Sequence, residues 1–117
     1  MAQSFLSGPG RGSHASGNAN RFGKLLASGG GSHVFGHSTG QNSLTTASDY
    51  GAFASGSTYS GAQIVANSFG AHVSGRAGST GIIRASNFGA HAAGYVLGTG
   101  ELTEASGLGS FAYGRDV

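Results

Sequence analysis

Residues 66–75 read Ala-Asn-Ser-Phe-Gly-Ala-His-Val-Ser-Gly, and residues 85–94 read Ala-Ser-Asn-Phe-Gly-Ala-His-Ala-Ala-Gly. The same ten-residue block recurs as GPGRGSHASG at 8–17, ASGGGSHVFG at 27–36, ASDYGAFASG at 47–56 and ASGLGSFAYG at 105–114. The starts lie 19, 20, 19, 19 and 20 residues apart. A fixed short period is the mark of a repeat architecture in which each unit is stabilised by its neighbours.

Two columns of the block are invariant. The fifth position is Gly12, Gly31, Gly51, Gly70, Gly89 and Gly109; the tenth is Gly17, Gly36, Gly56, Gly75, Gly94 and Gly114. Glycine at fixed offsets marks positive φ or close backbone approach once per copy. The fourth position carries Tyr50, Phe69, Phe88 and Leu108, the sixth is Ser or Ala, and the eighth is Ala or Val. In an extended strand these three share one face, so the pattern predicts one large and two small residues turned inward. Between blocks lie short apolar stretches, Leu25-Leu26, Leu44, Ile64-Val65, Ile82-Ile83 and Leu102. Gly23, Gly40, Gly61, Gly81 and Gly100 precede them as a second turn. Leu44 and Leu102 stand one residue early in the two 20-residue copies, which places the extra residue after the apolar strand.

Composition supports repetitive β structure. The chain has 117 residues, of which Gly (24), Ser (18) and Ala (17) make up half. That much glycine opposes long helices, at about 1 kcal/mol per interior Gly. Leu, Ile, Val and Phe number only 22, a shortage that predicts a core shared between chains. The charged residues are too few for a chain held disordered by charge. No cysteine is present, so neither a disulfide framework nor a thiolate zinc site is available. Arg11, Arg21, Arg76, Arg84 and Arg115 are scattered, which gives no nucleic-acid stripe, and no apolar run approaches a membrane span.

Phe69-Gly70-Ala71-His72-Val73-Ser74-Gly75 and Phe88-Gly89-Ala90-His91-Ala92-Ala93-Gly94 resemble the head repeat of YadA-like trimeric autotransporter adhesins. The likeness covers about residues 27–114, although the copies here are longer than the adhesin repeat. It implies a left-handed parallel β-roll in which three chains coil side by side. The same type of roll serves phage fibres and virion spikes.

Few motifs carry chemistry. Gly36-His37-Ser38-Thr39-Gly40 matches the nucleophile-elbow pattern, but its Gly-rich repeat setting lacks the strand-to-helix context that the chemistry needs. Gly17 to Lys24 has the wrong spacing for a phosphate loop, and Leu25 stands where Ser or Thr is required. Asp49, Glu101, Glu104 and Asp116 form no recurring acid column, which excludes calcium-binding coils. The threonines share no column either, which disfavours an ice-binding face.

The seventh column reads His14, His33, Phe53, His72, His91 and Phe111. One reading is a ladder of flat rings about 4.8 Å apart. The other is an ion site, in which a three-fold axis would gather equivalent imidazoles. Phenylalanine in two of six places favours the ladder.

The expected protein is all-β: a left-handed parallel β-roll or β-solenoid of about six 19–20-residue coils, homotrimeric, over residues 8–117. Residues 1–7, with Phe5 and Leu6, are expected to form a docking arm. Neither an export signal nor a membrane anchor is read in the chain. The expected function is non-enzymatic and without cofactor: a phage head decoration protein, short fibre or spike, located in the virion and docked on a capsid or tail protein. A bacterial adhesin head on the cell surface, binding matrix protein or glycan, is the alternative, and an ice-binding solenoid the third.

Overall fold

A computed structural model describes residues 5–7, 12–20, 23–40, 42–96 and 101–116. One sheet holds the short strands β1 (Phe5–Ser7), β3 (Lys24–Ala27), β5 (Leu44–Ala47), β7 (Gln63–Ala66), β9 (Ile82–Ala85) and β11 (Leu102–Ala105), in that order. The other holds β2 (His14–Asn20), β4 (His33–Thr39), β6 (Phe53–Tyr59), β8 (His72–Ala77), β10 (His91–Val96) and β12 (Phe111–Asp116). Every pairing is parallel and joins a strand to its equivalent in the adjacent copy, as in His72↔His91 and Ile64↔Ile83. The chain is therefore a parallel β-solenoid of about five turns.

The corner leading into the second sheet is the same in the five coils where it is described. The amide of block position six donates to the carbonyl of position three: Ala52 to Asp49, Ala71 to Ser68, Ala90 to Asn87. The intervening Gly51, Gly70 and Gly89 have φ of 64–65°, the left-handed region that a type II turn demands of its third residue. Each of these glycines also donates to the previous coil, Gly70 to the Tyr50 carbonyl and Gly89 to the Phe69 carbonyl. The turn, like the strands, is thus bonded from coil to coil.

The tenth-column glycines meet a different demand. They sit inside the long strands with φ of 126–154° from Gly17 to Gly94. A Cβ at Gly75 would fall on the carbonyl oxygen of Gly94, and a Cβ at Gly36 on that of Gly56. No L-side chain fits there.

The interior is narrow, and the shortest extent of the chain is 15 Å. It is filled by small and medium side chains. Leu25, Ile64 and Ile83 from the short strands face Val34, Val73 and Val96 from the long ones, with alanines between. Hydroxyls complete it: Thr58 Oγ1 donates to Ser38 Oγ at 2.9 Å and lies 3.3 Å from Thr45 Oγ1. The Lys24 amide also donates to Ser38 Oγ, so these buried oxygens are satisfied by one another and by backbone.

Several expectations are corrected. Block positions six and eight point inward, but position four does not: Tyr50, Phe69, Phe88 and Leu108 are exposed. Position four lies in the turn, where strand alternation does not apply, and the strand begins only at position seven. The scarcity of large residues does not leave the core open, because one chain closes its own interior with Ala, Val and Ser. The extra residue of the 20-residue copies precedes the short strand. Thr39 pairs with Tyr59 and Leu44 with Gln63, so the longer connection is 40–43 against 60–62. Leu44 misled because its register partners are Lys24 and Gln63; the inward equivalent of Leu25 and Ile64 is Thr45.

The second turn, unlike the first, has no invariant glycine column: the residues before the short strands are Gly23, Ser43, Ala62, Gly81 and Glu101. Gly40 and Gly61 have positive φ but occupy different registers, and Asn42, Ser60, Ser79 and Thr80 also adopt left-handed conformations. Gly100 and residues 8–11 of the first block lie outside the described residues. Residues 5–7 pair with β3, so this part of the expected arm is a strand of the solenoid.

The two glycine columns should differ in tolerance. A Cβ at Gly70 meets nothing within 4 Å, so Gly70→Ala is expected to cost only the left-handed penalty, about 1–2 kcal/mol. Gly75→Ala drives a methyl into backbone and should abolish cooperative folding. Denaturant melts of the two variants check this; equal losses would refute it.

Candidate functional site

Two files of rings run along the outside of the solenoid. The first is the seventh block column, the opening residue of each long strand. Its rings follow one another with centroid separations of 6.1 Å for His14–His33, 6.4 Å for His33–Phe53 and 4.7 Å for Phe53–His72. His72 and His91 stack face to face at 4.4 Å and 7°, and Phe111 meets His91 edge-on at 4.8 Å. Parallel register with one ring per coil produces the file directly. Phe35, which the column pattern did not select, joins it: its ring lies 5.5 Å from His14 and 5.6 Å from Phe53. It stands two residues beyond His33 on the same strand face, and a period-two count along β4 would have found it.

The second file is position four. Tyr50 and Phe69 are 5.4 Å apart, and Phe69 and Phe88 stack at 5.0 Å and 5°. Asp49 Oδ1 and Asn87 Oδ1 accept the amides of Tyr50 and Phe88, fixing the backbone beneath these rings. All three aromatic side chains are 45–65% exposed, and Leu108 continues the file at 76%.

Partial burial, and secondly the neighbouring His91, hold the His72 pKa below the ordinary imidazole range. Among the described residues no group of three or more His, Asp or Glu side chains converges as a metal site. Ser38, the serine of the elbow-like motif, is buried in the core with its hydroxyl bonded to Thr58. The acids do not converge. Glu104 accepts Arg84 Nε at 2.8 Å on the outer face of the short-strand sheet, and this bond first of all lowers its pKa. The side chains of Phe5 and Leu6 lie outside the described residues.

The long-strand sheet also carries a groove of about 620 Å³ over the glycine column of its last three coils. Tyr95 and Tyr113 line it, with Ser74, Gly75, Gly94 and Gly114. Beside it, the Arg76 guanidinium lies 5.3 Å from the Tyr59 ring centroid and 5.7 Å from that of Tyr95.

No family model, curated protein or solved structure matches the chain.

The lowered His72 pKa sets the sign of an acid effect. The native state binds its proton less readily than the unfolded chain does. Stability is full above the unfolded imidazole value near ~6.5 and declines as pH falls from there towards the lowered native value. Wild type should therefore melt lower at pH 5 than at pH 7.5. His72→Phe/His91→Phe should lose less, because it removes both the half-buried imidazole and its like-charged neighbour. Equal losses in the two proteins would sink this account.

Proposed function

We propose that the chain is a non-enzymatic structural subunit that works as a homotrimer, a left-handed roll of the kind seen in phage decoration proteins, fibres and spikes. The observation that carries this reading is the exposed file Tyr50–Phe69–Phe88–Leu108. The interior is already closed by one chain, so these large side chains serve no core of their own. They form a straight apolar stripe about 15 Å long at ~4.8 Å per coil. A contiguous exposed apolar stripe on a rigid scaffold is the signature of an association surface. Three chains set around an axis would bury one such stripe each, at about 25 cal/mol per Å² of apolar area.

Features of the scaffold support a virion role. Each coil is bonded to the next through both sheets and the turn, so the stack is stiff along the coil direction. Resemblance of the repeat to rolls used in phage fibres points the same way. In this reading the partner is a capsid or tail protein.

Light scattering should give three times the 11.4 kDa chain mass. Phe69→Ser/Phe88→Ser should give a folded monomer with an unchanged far-ultraviolet spectrum. A wild-type monomer at micromolar concentration would end the trimer reading.

A further inference from the structure

The groove on the long-strand sheet is not accounted for by trimer formation. It is lined by Ser74, Ala93 and the glycines of the tenth column, and a tyrosine stands on either side of that column. Tyr113 precedes that column by one residue on β12, and Tyr95 follows it by one residue on β10. The backbone beneath belongs to continuous parallel ladders between β8, β10 and β12. The groove lies on the sheet face, so a peptide seated in it would not pair as a strand, although the edge strand β12 borders it. The groove instead offers two tyrosine side chains, one of them held by Arg76, over a shallow floor. That combination suits a ligand with apolar ring faces and many hydroxyls.

Arg76 adds charge. It follows Gly75 directly, and its Nη1 donates to Tyr95 Oη at 3.3 Å. The rings of Tyr59 and Tyr95 flank its guanidinium and pre-orient it. The ion pair Arg84–Glu104 lies on the short-strand sheet, while Arg76 stands exposed on the long-strand sheet. An exposed guanidinium held in this way presents paired donors that match a carboxylate.

We propose that this groove binds a carboxylated oligosaccharide, with Tyr95 and Tyr113 against pyranose faces and Arg76 on the carboxylate. The site lies on one chain, so the proposal does not depend on the trimer; the mass of the same sample reports that separately. The test is an immobilised panel of sialylated and uronate-bearing oligosaccharides, each beside its counterpart without the carboxylate. The full chain should be retained by carboxylated members and not by the neutral ones, and retention should weaken with added salt. Arg76→Gln should weaken binding about tenfold or more, as loss of a charged hydrogen bond does, while Arg76→Lys keeps part of it. Tyr113→Ala removes a side chain that is 77% exposed, so it should lower affinity without lowering the melting temperature. If wild type retains no carboxylated member, or holds neutral and carboxylated members alike, the proposal is overturned. The wild-type result decides this whether or not the variants fold. An unchanged Arg76→Gln affinity would overturn it equally.

Discussion

The contact on which the structure depends is the approach of each tenth-column glycine to the carbonyl of the next. From Gly17 to Gly94 these residues repeat one conformation, with φ between 126° and 154°, inside a strand. In each, the direction a Cβ would take is occupied by the neighbouring glycine's carbonyl oxygen. A single coil gains nothing from this geometry, because the contact exists only between coils. One tolerated side chain would push two coils apart and break register in both sheets, since the chain passes through each sheet once per turn. The invariance of the column is therefore a stacking constraint, whereas the fifth-column glycines answer a local turn requirement with open space around them.

Stacking at this spacing also explains the inverted distribution of side chains. Two sheets packed closely leave room for Ala, Val and Ser, with Leu or Ile once in most coils. Large rings cannot enter, so they stand outside, where the coil spacing itself makes them neighbours. The interior can then admit hydroxyls without penalty, provided they meet each other, as Ser38, Thr45 and Thr58 do. Burial is achieved here by many small contacts between close backbones, and a count of large apolar residues does not measure it.

Much of this was legible because parallel stacking copies sequence columns directly into spatial files. The repeat period, the alternation of strands and turns, and the inward placement of positions six and eight could all be read from the blocks. What could not be read came from three sources. Tyr50, Phe69 and Phe88 fit strand alternation as letters, but the turn at the following glycine takes them out of the strand. Leu44 looked like the core residue of its strand, while the less apolar Thr45 beside it turned inward. The groove beside Arg76 left no local motif at all, since its walls come from different coils brought together by register.

Register also exposes a longer period that the block alignment hides. The ring column runs His, His, Phe and then His, His, Phe, and the longer connections are the ones that lead into the Phe53 and Phe111 coils. The same coils carry Thr45 and Thr103 at the position held elsewhere by Leu25, Ile64 and Ile83, so these two threonines do share a column, contrary to the expectation from the blocks. The repeating unit is thus three coils, and its electrostatic consequence is specific. An unbroken column of imidazoles would place each charged ring between two like charges on protonation. A phenyl ring at every third level limits each imidazole to one such neighbour, and Phe53 and Phe111 meet His72 and His91 edge-on at their other sides. Along the file the repulsion then comes from separate pairs, and it does not build up with the number of coils.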